Sequence, residues 1–191
     1  MIEIEIKDLI LKVQDNKRAF DEIMEIYSPS IYKLSIRLCK NKFDADDLFQ
    51  ITWLKIFKNL EKYNCNNSFE NWIYTICLNN YRDKYTKEKK LIGKVKTLFS
   101  STQEKDEELN KINDPSKCVD NLIISKIDSS KIRQYVNELP DIYRVPIILY
   151  YFKDLSYKDI SKILTVPVGT IKSRLNMAKT KLKKMMEDDD G

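Results

Sequence analysis

The chain has 191 residues, 42% hydrophobic and 10% aromatic, which is enough for one globular domain or two small ones. It contains no histidine and only three glycines, which removes the commonest general base, the usual zinc ligand sets and any glycine-rich phosphate-binding loop. Because no run of about 18 apolar residues occurs and charges interrupt the N-terminus, we expect neither a membrane span nor a signal peptide. The composition disfavours an enzyme and predicts a cytoplasmic protein without cofactor, metal or small-molecule substrate.

The net charge of +5 is unevenly distributed along the chain. One basic stretch runs from Arg82 to Lys96, and a second runs from Ser156 to Met186, where eight basic residues accompany the single acid Asp159. Two separated basic surfaces suggest two contacts on one nucleic acid. The four cysteines form no Cys-x-x-Cys pair, and we expect them to be reduced.

Apolar residues recur three or four apart through two long segments, which predicts an all-α protein. The first segment, from Asp15 to Tyr85, is interrupted at Ser28-Pro29, at Asn41-Lys42 and at the turn 64–67, which predicts four helices. Between 100 and 120 the chain is acidic and poor in large apolar residues, as is typical of a flexible linker. Periodicity then resumes, pauses at Pro140 and ends before four acids at 187–190, which we expect to form a solvated tail.

The second segment has the pattern of a helix-turn-helix. Ser156 and Asp159 are spaced as a variant capping box, and the helix that they begin must end before Pro167. In the next helix an apolar stripe is predicted to face the core, formed by Ile171, Leu175, Ala178 and Leu182, while Lys172, Ser173, Asn176 and Lys179 face outward. Such a second helix enters the major groove of DNA. The alternative is an ordinary helical hairpin with a solvated basic face.

Two stretches of the C-terminal half, Leu155-Ser156-Tyr157-Lys158-Asp159-Ile160-Ser161 and Pro167-Val168-Gly169-Thr170-Ile171-Lys172-Ser173-Arg174-Leu175, carry a more specific signal. Together they resemble the C-terminal domain of extracytoplasmic-function sigma factors, which reads the minus-thirty-five promoter element. The resemblance implies DNA contacts at Lys158, Thr170, Lys172, Ser173, Arg174, Asn176, Met177 and Lys179. Met177 stands where the family usually has arginine, and it cannot make a bidentate contact to guanine.

Near the N-terminus, Asp44-Ala45-Asp46-Asp47-Leu48-Phe49-Gln50-Ile51-Thr52-Trp53 gathers acids, a glutamine and aromatic residues on one helix. An EF-hand fails here, because Phe49 occupies the glycine position and Lys55 the glutamate position. The segment is similar to the helix with which the family docks onto the polymerase clamp. The resemblance implies polymerase contacts at Asp44, Asp46, Asp47, Leu48, Gln50 and Trp53.

The stretch from Ser68 to Asp83 resembles the family's helix that captures the minus-ten element. Strand opening needs polar groups that hold an extruded base and cations along the backbone. The implied contacts are Asn64, Asn66, Asn67, Ser68, Phe69, Tyr74, Asn79, Asn80, Arg82, Asp83, Lys84 and Lys87. Tyr74, Tyr81 and Tyr85 are either stacking platforms or core residues, whereas the spacing of Trp72 and Ile76 places both in the core.

The two resemblances together imply a sigma factor with a region 2 type domain at 1–90, a linker at 91–124, a region 4 type domain at 125–186 and an acidic tail at 187–191. Its partners would be core RNA polymerase, through the clamp coiled coil and the flap, promoter DNA and an anti-sigma factor. Two rivals stay open on the sequence. One is a stand-alone helix-turn-helix regulator of duplex DNA, and the other is a metal-dependent nuclease built on Asp44, Asp46 and Asp47.

Overall fold

The computed structural model describes residues 8–10, 12–13, 17–91 and 130–189, with the backbone alone at 17, 85–91 and 130. The chain divides into two units, Met1–Val95 and Lys96–Gly191. Besides helical residues at 8–10 and 12–13, the described residues form seven α-helices and one 3-10 turn and contain no strand, which confirms the all-α prediction. The predicted linker, apart from Leu91, and the side chains of Tyr85 and Lys87 lie outside what is described.

Three helices build the N-terminal unit: α1 (Lys17–Leu38), α2 (Lys42–Asn59) and α3 (Phe69–Leu91), with a 3-10 turn at Leu60–Lys62 after α2. Each helix contacts the other two. The core contains the apolar stripes that the periodicity predicts for α1 and α2, among them Ile23, Ile31, Leu34, Ala45, Leu48 and Ile56, and α3 adds Ile73, Cys77 and Leu78. The outer sides of α2 and α3 are left exposed to solvent.

The break predicted at Ser28-Pro29 is wrong, because α1 continues through Pro29. A proline inside a helix removes one backbone hydrogen bond, yet the two halves of α1 share one buried stripe. Ile23 before the proline and Ile31 after it are both fully buried. Burial of the stripe therefore offsets the lost bond, and the predicted four helices become three. The breaks at Asn41-Lys42 and at 64–67 are confirmed.

The C-terminal unit contains α4 (Ser130–Glu138), α5 (Asp141–Lys153), α6 (Tyr157–Leu164) and α7 (Val168–Asp189). Pro140 precedes α5 as predicted, and Asp154 and Thr165 close α5 and α6 in the left-handed conformation, with φ of 51° and 58°. Ile171, Leu175, Ala178 and Leu182 are all buried, which confirms the predicted stripe. Helix α7 packs against α4, α5 and α6, so the core positions the outer face of α7.

Residues 187–189 are exposed, as expected of a solvated segment, but they continue α7 and do not form a separate tail. Asp189 accepts hydrogen bonds from Lys131 Nζ and Tyr135 Oη, both at 2.7 Å. These contacts join the end of α7 to α4. They also lower the pKa of Asp189, and the hydrogen bond from Lys131 has the largest effect. Asp189 thus has two partners within the unit.

Candidate functional site

The acids at the start of α2 are held by specific partners. Asn41 caps the helix, its side-chain oxygen accepting from the Asp44 backbone at 2.8 Å, and its amide donates to Asp44 Oδ2 at 2.8 Å. From α3, Lys84 Nζ donates to Asp44 Oδ1 at 2.7 Å and to Asp47 Oδ2 at 3.3 Å. Asp46 accepts from Tyr32 Oη at 3.1 Å. Each of these carboxylates therefore has a fixed orientation before any partner binds.

The ion pairs keep both partners charged. The hydrogen bond from Lys84 lowers the pKa of Asp44 below its ordinary value of 3.8, and the bond from Asn41 acts in the same direction. Partial burial opposes the charged form of Lys84, but hydrogen bonds to Asp44 and Asp47 outweigh it and raise the pKa of the amine. Asp44 is therefore ionised at every physiological pH.

Asp44→Asn is expected to make unfolding less sensitive to acid. A carboxyl whose folded pKa is lowered stabilises the fold above its ordinary pKa, and it loses that contribution as the pH falls through its folded value. The native protein should therefore lose thermal stability below about pH 3.8 more steeply than Asp44→Asn does. Melting curves of both proteins between neutral and acid pH check this, and equal slopes would contradict it.

Two of the expected polymerase contacts lie in the core. Leu48 and Trp53 are only 2% and 5% exposed, and Trp53 packs edge-on against Phe20 and Phe49. Both occupy the α2 stripe that faces α1 and α3, so a partner cannot reach them in this conformation. Their role is to support the helix, and the expectation of direct contact is corrected. Gln50 is exposed.

The outer face of α2 also has a row of exposed apolar side chains that sequence reasoning missed. Phe43, Ile51, Leu54 and Phe57 are 74%, 43%, 61% and 54% exposed. At 100° per residue, these four side chains lie on the same side of α2 as Asp47 and Gln50. The opposite side is the buried one, with Ala45, Leu48, Thr52 and Ile56. The sequence did contain a signal for this surface, because α2 has a second row of apolar residues besides the one that forms its buried stripe. Such a patch, rimmed by polar groups, is typical of a protein-docking surface; we call it the α2 outer face.

Three of the expected minus-ten contacts are buried. Phe69, Tyr74 and Asn80 are 3%, 0% and 5% exposed, and Tyr81 is buried as well. The hydroxyl of Tyr74 donates to Glu70, and Ser30 Oγ, 2.5 Å away, donates to it in turn. The pKa of Tyr74 is raised, mainly by burial and next by the hydrogen bond to Glu70. Tyr74 therefore ties α1 to α3, and it is not a stacking platform in this conformation. Asn80 likewise donates to Thr52 Oγ1 at 3.3 Å, joining α3 to α2.

The core placement predicted for Trp72 and Ile76 is also corrected, since both are half-buried. The fully buried positions are one residue further along, at Ile73 and Cys77, because the stripe of α3 is rotated relative to the expected one. Trp72 packs at 5.1 Å from Tyr63 and 5.5 Å from Phe69, measured between ring centroids. The indole thus lies beside the turn that carries the candidate amides.

Most of the remaining minus-ten candidates are exposed or half-buried. Asn64, Asn66 and Asn67 are exposed in the turn before α3, where Asn64 Oδ1 accepts from the Asn66 backbone at 3.0 Å. Ser68 is half-buried at the helix start, with its Oγ 3.3 Å from the Asn71 backbone nitrogen that donates to it. On α3, Asn79 and Asp83 are exposed and Arg82 is half-buried. Asp83 pairs with Lys55 at 3.5 Å, so its charge is partly neutralised.

The predicted cap of α6 is confirmed. Ser156 Oγ accepts from the Asp159 backbone at 3.1 Å and lies 2.5 Å from the Asp159 carboxylate. Ser156→Ala should therefore lower the unfolding free energy of the C-terminal unit by about 0.5–2 kcal/mol. Urea unfolding of the native and variant proteins measures the difference, and Ser156→Thr, whose hydroxyl can both accept from the Asp159 backbone and donate to its carboxylate, should recover most of it. An unchanged midpoint in Ser156→Ala would rule out a stabilising cap.

The outer face of α7 presents most of the expected DNA contacts. Lys172 and Asn176, one turn apart, are exposed, and Lys158 on α6 is exposed as well. Half-buried positions are Thr170, Ser173, Arg174 and Met177, and Ser173 Oγ donates to the Thr170 carbonyl at 3.2 Å. Lys179 was expected to face outward, but it is buried, with only 6% of its surface exposed. It lies four residues after Leu175, so its position borders the buried stripe.

The described part of the chain contains no group of three or more Cys, Asp or Glu residues that could hold a metal ion. Among the same residues, no helix is long and apolar enough to cross a membrane.

Comparison with known proteins connects these surfaces to a family. Residues 23–91 match the family model for Sigma-70 region 2, and residues 129–182 match that for Sigma-70 region 4. The chain is 30% identical over 191 residues to the ECF RNA polymerase sigma factor SigW of Bacillus subtilis, covering 98% of this chain and 100% of that protein. It is 29% identical to SigM of the same organism, covering 85% of this chain and 92% of SigM.

Solved structures share the fold. The chain superposes on CnrH, solved with the cytosolic domain of CnrY, with a TM-score of 0.66 at 16% identity over 98% of this chain and 97% of that one. The sigma factor RpoE of Bartonella quintana, solved with the anti-sigma factor NepR, gives a TM-score of 0.66 at 21% identity, covering 88% and 96%. The chain belongs to the extracytoplasmic-function family of RNA polymerase sigma factors, and it directs RNA polymerase to initiate transcription at specific promoters.

Proposed function

We propose that the two helical units divide this work between three surfaces. The α2 outer face docks onto the clamp coiled coil of core polymerase, the turn 64–68 and the outer side of α3 capture the minus-ten strand, and the outer face of α7 reads the minus-thirty-five element. The observation that carries the proposal is the exposure of four large apolar side chains on α2 beside Asp47 and Gln50. The C-terminal unit would also contact the flap.

The docking role of α2 follows from what an interface core requires. Apolar side chains that lose contact with water supply most of the binding free energy, and surrounding polar groups give orientation. Leu54 and Ile51 can supply the apolar contact area. Asp47 and Gln50 can pair with basic and polar groups on the clamp. The buried Leu48 and Trp53 hold this face rigid, which lowers the entropic cost of binding.

The role of the 64–68 turn and α3 follows from their polar groups. The exposed amides of Asn64, Asn66 and Asn67 can bond the edges of an extruded base, and Arg82 can neutralise a phosphate. The half-buried Trp72 lies next to this turn and offers a ring on which a base can stack. We therefore propose Trp72, in place of Tyr74, as the aromatic residue on which an extruded base stacks.

The protein would act in the cytoplasm and carry out no chemistry itself, since core polymerase supplies the catalytic site. We also propose that an anti-sigma protein holds it inactive by covering the α2 outer face. The two solved neighbours, each in complex with a second protein, support this suggestion. Co-purification from cells should then recover an inhibitor whose binding is lost in the same α2 variants that lose polymerase.

Site-specific crosslinking tests the assignment of surfaces. A photoreactive amino acid replaces Leu54 in one full-length protein and Asn176 in another, and each is assembled with core polymerase and promoter DNA. The probe at 54 should crosslink to the largest polymerase subunits and the probe at 176 to DNA upstream of the start site. A probe at the exposed Ile26 serves as the control. Crosslinks from position 54 to DNA alone would overturn the assignment.

A further inference from the structure

Lys84 joins two surfaces to which the sequence assigns different partners. The lysine was expected to contact DNA, and Asp44 and Asp47 were expected to contact polymerase. In the structure its ammonium lies 2.7 Å from Asp44 Oδ1 and 3.3 Å from Asp47 Oδ2. All three side chains are partly exposed, at 30%, 33% and 43%. Each is therefore accessible to a partner.

This arrangement makes Lys84 a weak phosphate ligand in the free protein. One ammonium faces two carboxylates, so the cluster has a net charge of −1. Both carboxylates lie well within the roughly 8 Å screening length at physiological salt, so a phosphate that approaches Lys84 is repelled by them. Asn41 holds Asp44 in place from the other side, which keeps that carboxylate directed at Lys84.

Asp47 is the member of the cluster that is most accessible to a docking protein. It is the most exposed of the three, and it lies on the α2 outer face one turn before Gln50 and Ile51. A basic side chain from a protein docked on this face would compete with Lys84 for Asp47. Once Asp47 is neutralised, the negative potential at Lys84 falls, and Asp44 alone remains as its partner.

We propose that Lys84 couples the two binding events. Asp44 and Asp47 restrain it in the free protein, and engagement of Asp47 by polymerase releases it to a backbone phosphate of the promoter strand. By linkage, the coupling is reciprocal, so DNA bound at Lys84 strengthens the hold of polymerase on Asp47. The inference rests on the proposed docking role of the α2 outer face.

The test is a double-mutant cycle on the full-length protein in the absence of polymerase. The probe is a fluorescein-labelled single-stranded oligothymidylate, because a phosphate contact does not depend on sequence. Asp47→Asn mimics the neutralised state and should tighten binding about 2- to 5-fold, as expected for an exposed ion pair. It should also steepen the salt dependence by roughly 0.7 in log–log slope. In the Lys84→Met background the same substitution should have no such effect.

Asp46→Asn is the matched control for charge. It removes the same charge one residue away, but Asp46 pairs with Tyr32 instead of Lys84. Its effect on oligothymidylate binding should be smaller and the same in both backgrounds. Lys84→Arg, which keeps the cation, should behave as the native protein does. Equal gains from Asp47→Asn with and without Lys84 would overturn the proposal, because the gain would then be a general effect of charge.

A second measurement separates failure of the coupling from failure of the docking assignment. Core polymerase binding is measured for Leu54→Glu beside the cycle. If Leu54→Glu weakens polymerase binding while the Asp47–Lys84 cycle is additive, the coupling alone is wrong. If Leu54→Glu leaves polymerase binding unchanged, the α2 outer face is not the docking surface. The proposed release of Lys84 by polymerase is then wrong as well.

Discussion

Leu54→Glu is expected to weaken the binding of core polymerase by roughly 10- to 100-fold, about 1.4–2.8 kcal/mol, while the fold is retained. Leu54 is 61% exposed at the centre of the α2 outer face, so the substitution disturbs no core packing. In a docked complex, however, the introduced carboxylate would be buried against apolar groups without a partner, which is costly. Fluorescence anisotropy with labelled protein and core polymerase measures the effect.

Two controls make this result specific. Leu54→Met keeps an apolar side chain and should bind polymerase within about 2-fold of the native protein, as volume-conserving apolar swaps are usually tolerated. Ile26→Glu introduces the same charge at another exposed isoleucine, 50% exposed on α1. Ile26 lies on a different helix and is not one of the residues that define the α2 outer face. Equal losses in Ile26→Glu and Leu54→Glu would contradict a local docking surface.

Asn176→Ala is expected to remove sequence preference at one position of the minus-thirty-five element. Asparagine can bond an adenine edge in the major groove through two hydrogen bonds, which is worth about 1–3 kcal/mol of discrimination, or about 5- to 150-fold. Asn176 is exposed one turn after Lys172, on the face of α7 opposite its buried stripe. Selection of bound duplexes from a randomised library by the polymerase complex would report the preference position by position.

The neighbouring lysines provide the contrast. Lys172→Ala should weaken binding to all sequences nearly equally and reduce the salt slope by about 1, as loss of a phosphate contact does. Lys184→Ala removes the same charge twelve residues further along α7, about 18 Å along the axis, and should change little. If Asn176→Ala weakened all duplexes uniformly, with the preference intact, direct base reading by this residue would be excluded.

Periodicity in the sequence predicts which side of each helix is buried when one stripe dominates. The stripe from Ile171 to Leu182 is an example. The cap at Ser156 was also predictable, because it depends only on local spacing. The same reasoning misplaces residues at the edge of a stripe. Lys179 borders the buried side of α7, and Trp72 and Ile76 border that of α3, so a small rotation of the helix decides their exposure.

Contacts between distant residues lie beyond such reasoning. The bonds from Lys84 to Asp44 and from Ser30 to Tyr74 join residues 40 and 44 positions apart, and they form only because α3 packs beside α2 and α1. A motif also names residues without telling which of them face a partner. Leu48 and Trp53 belong to the motif but are buried, whereas Ile51, which lies between them, and Leu54, which follows Trp53, are exposed and form part of the proposed docking surface.

Transcription by purified bacterial core polymerase, with and without this protein, tests the central claim most directly. The template is fragmented genomic DNA from the source organism, and RNA start sites are mapped. Addition of the native protein should produce discrete new starts that share two upstream elements, and Leu54→Glu should abolish them at limiting protein. An unchanged set of starts, with no binding of the protein to core polymerase, would contradict the account.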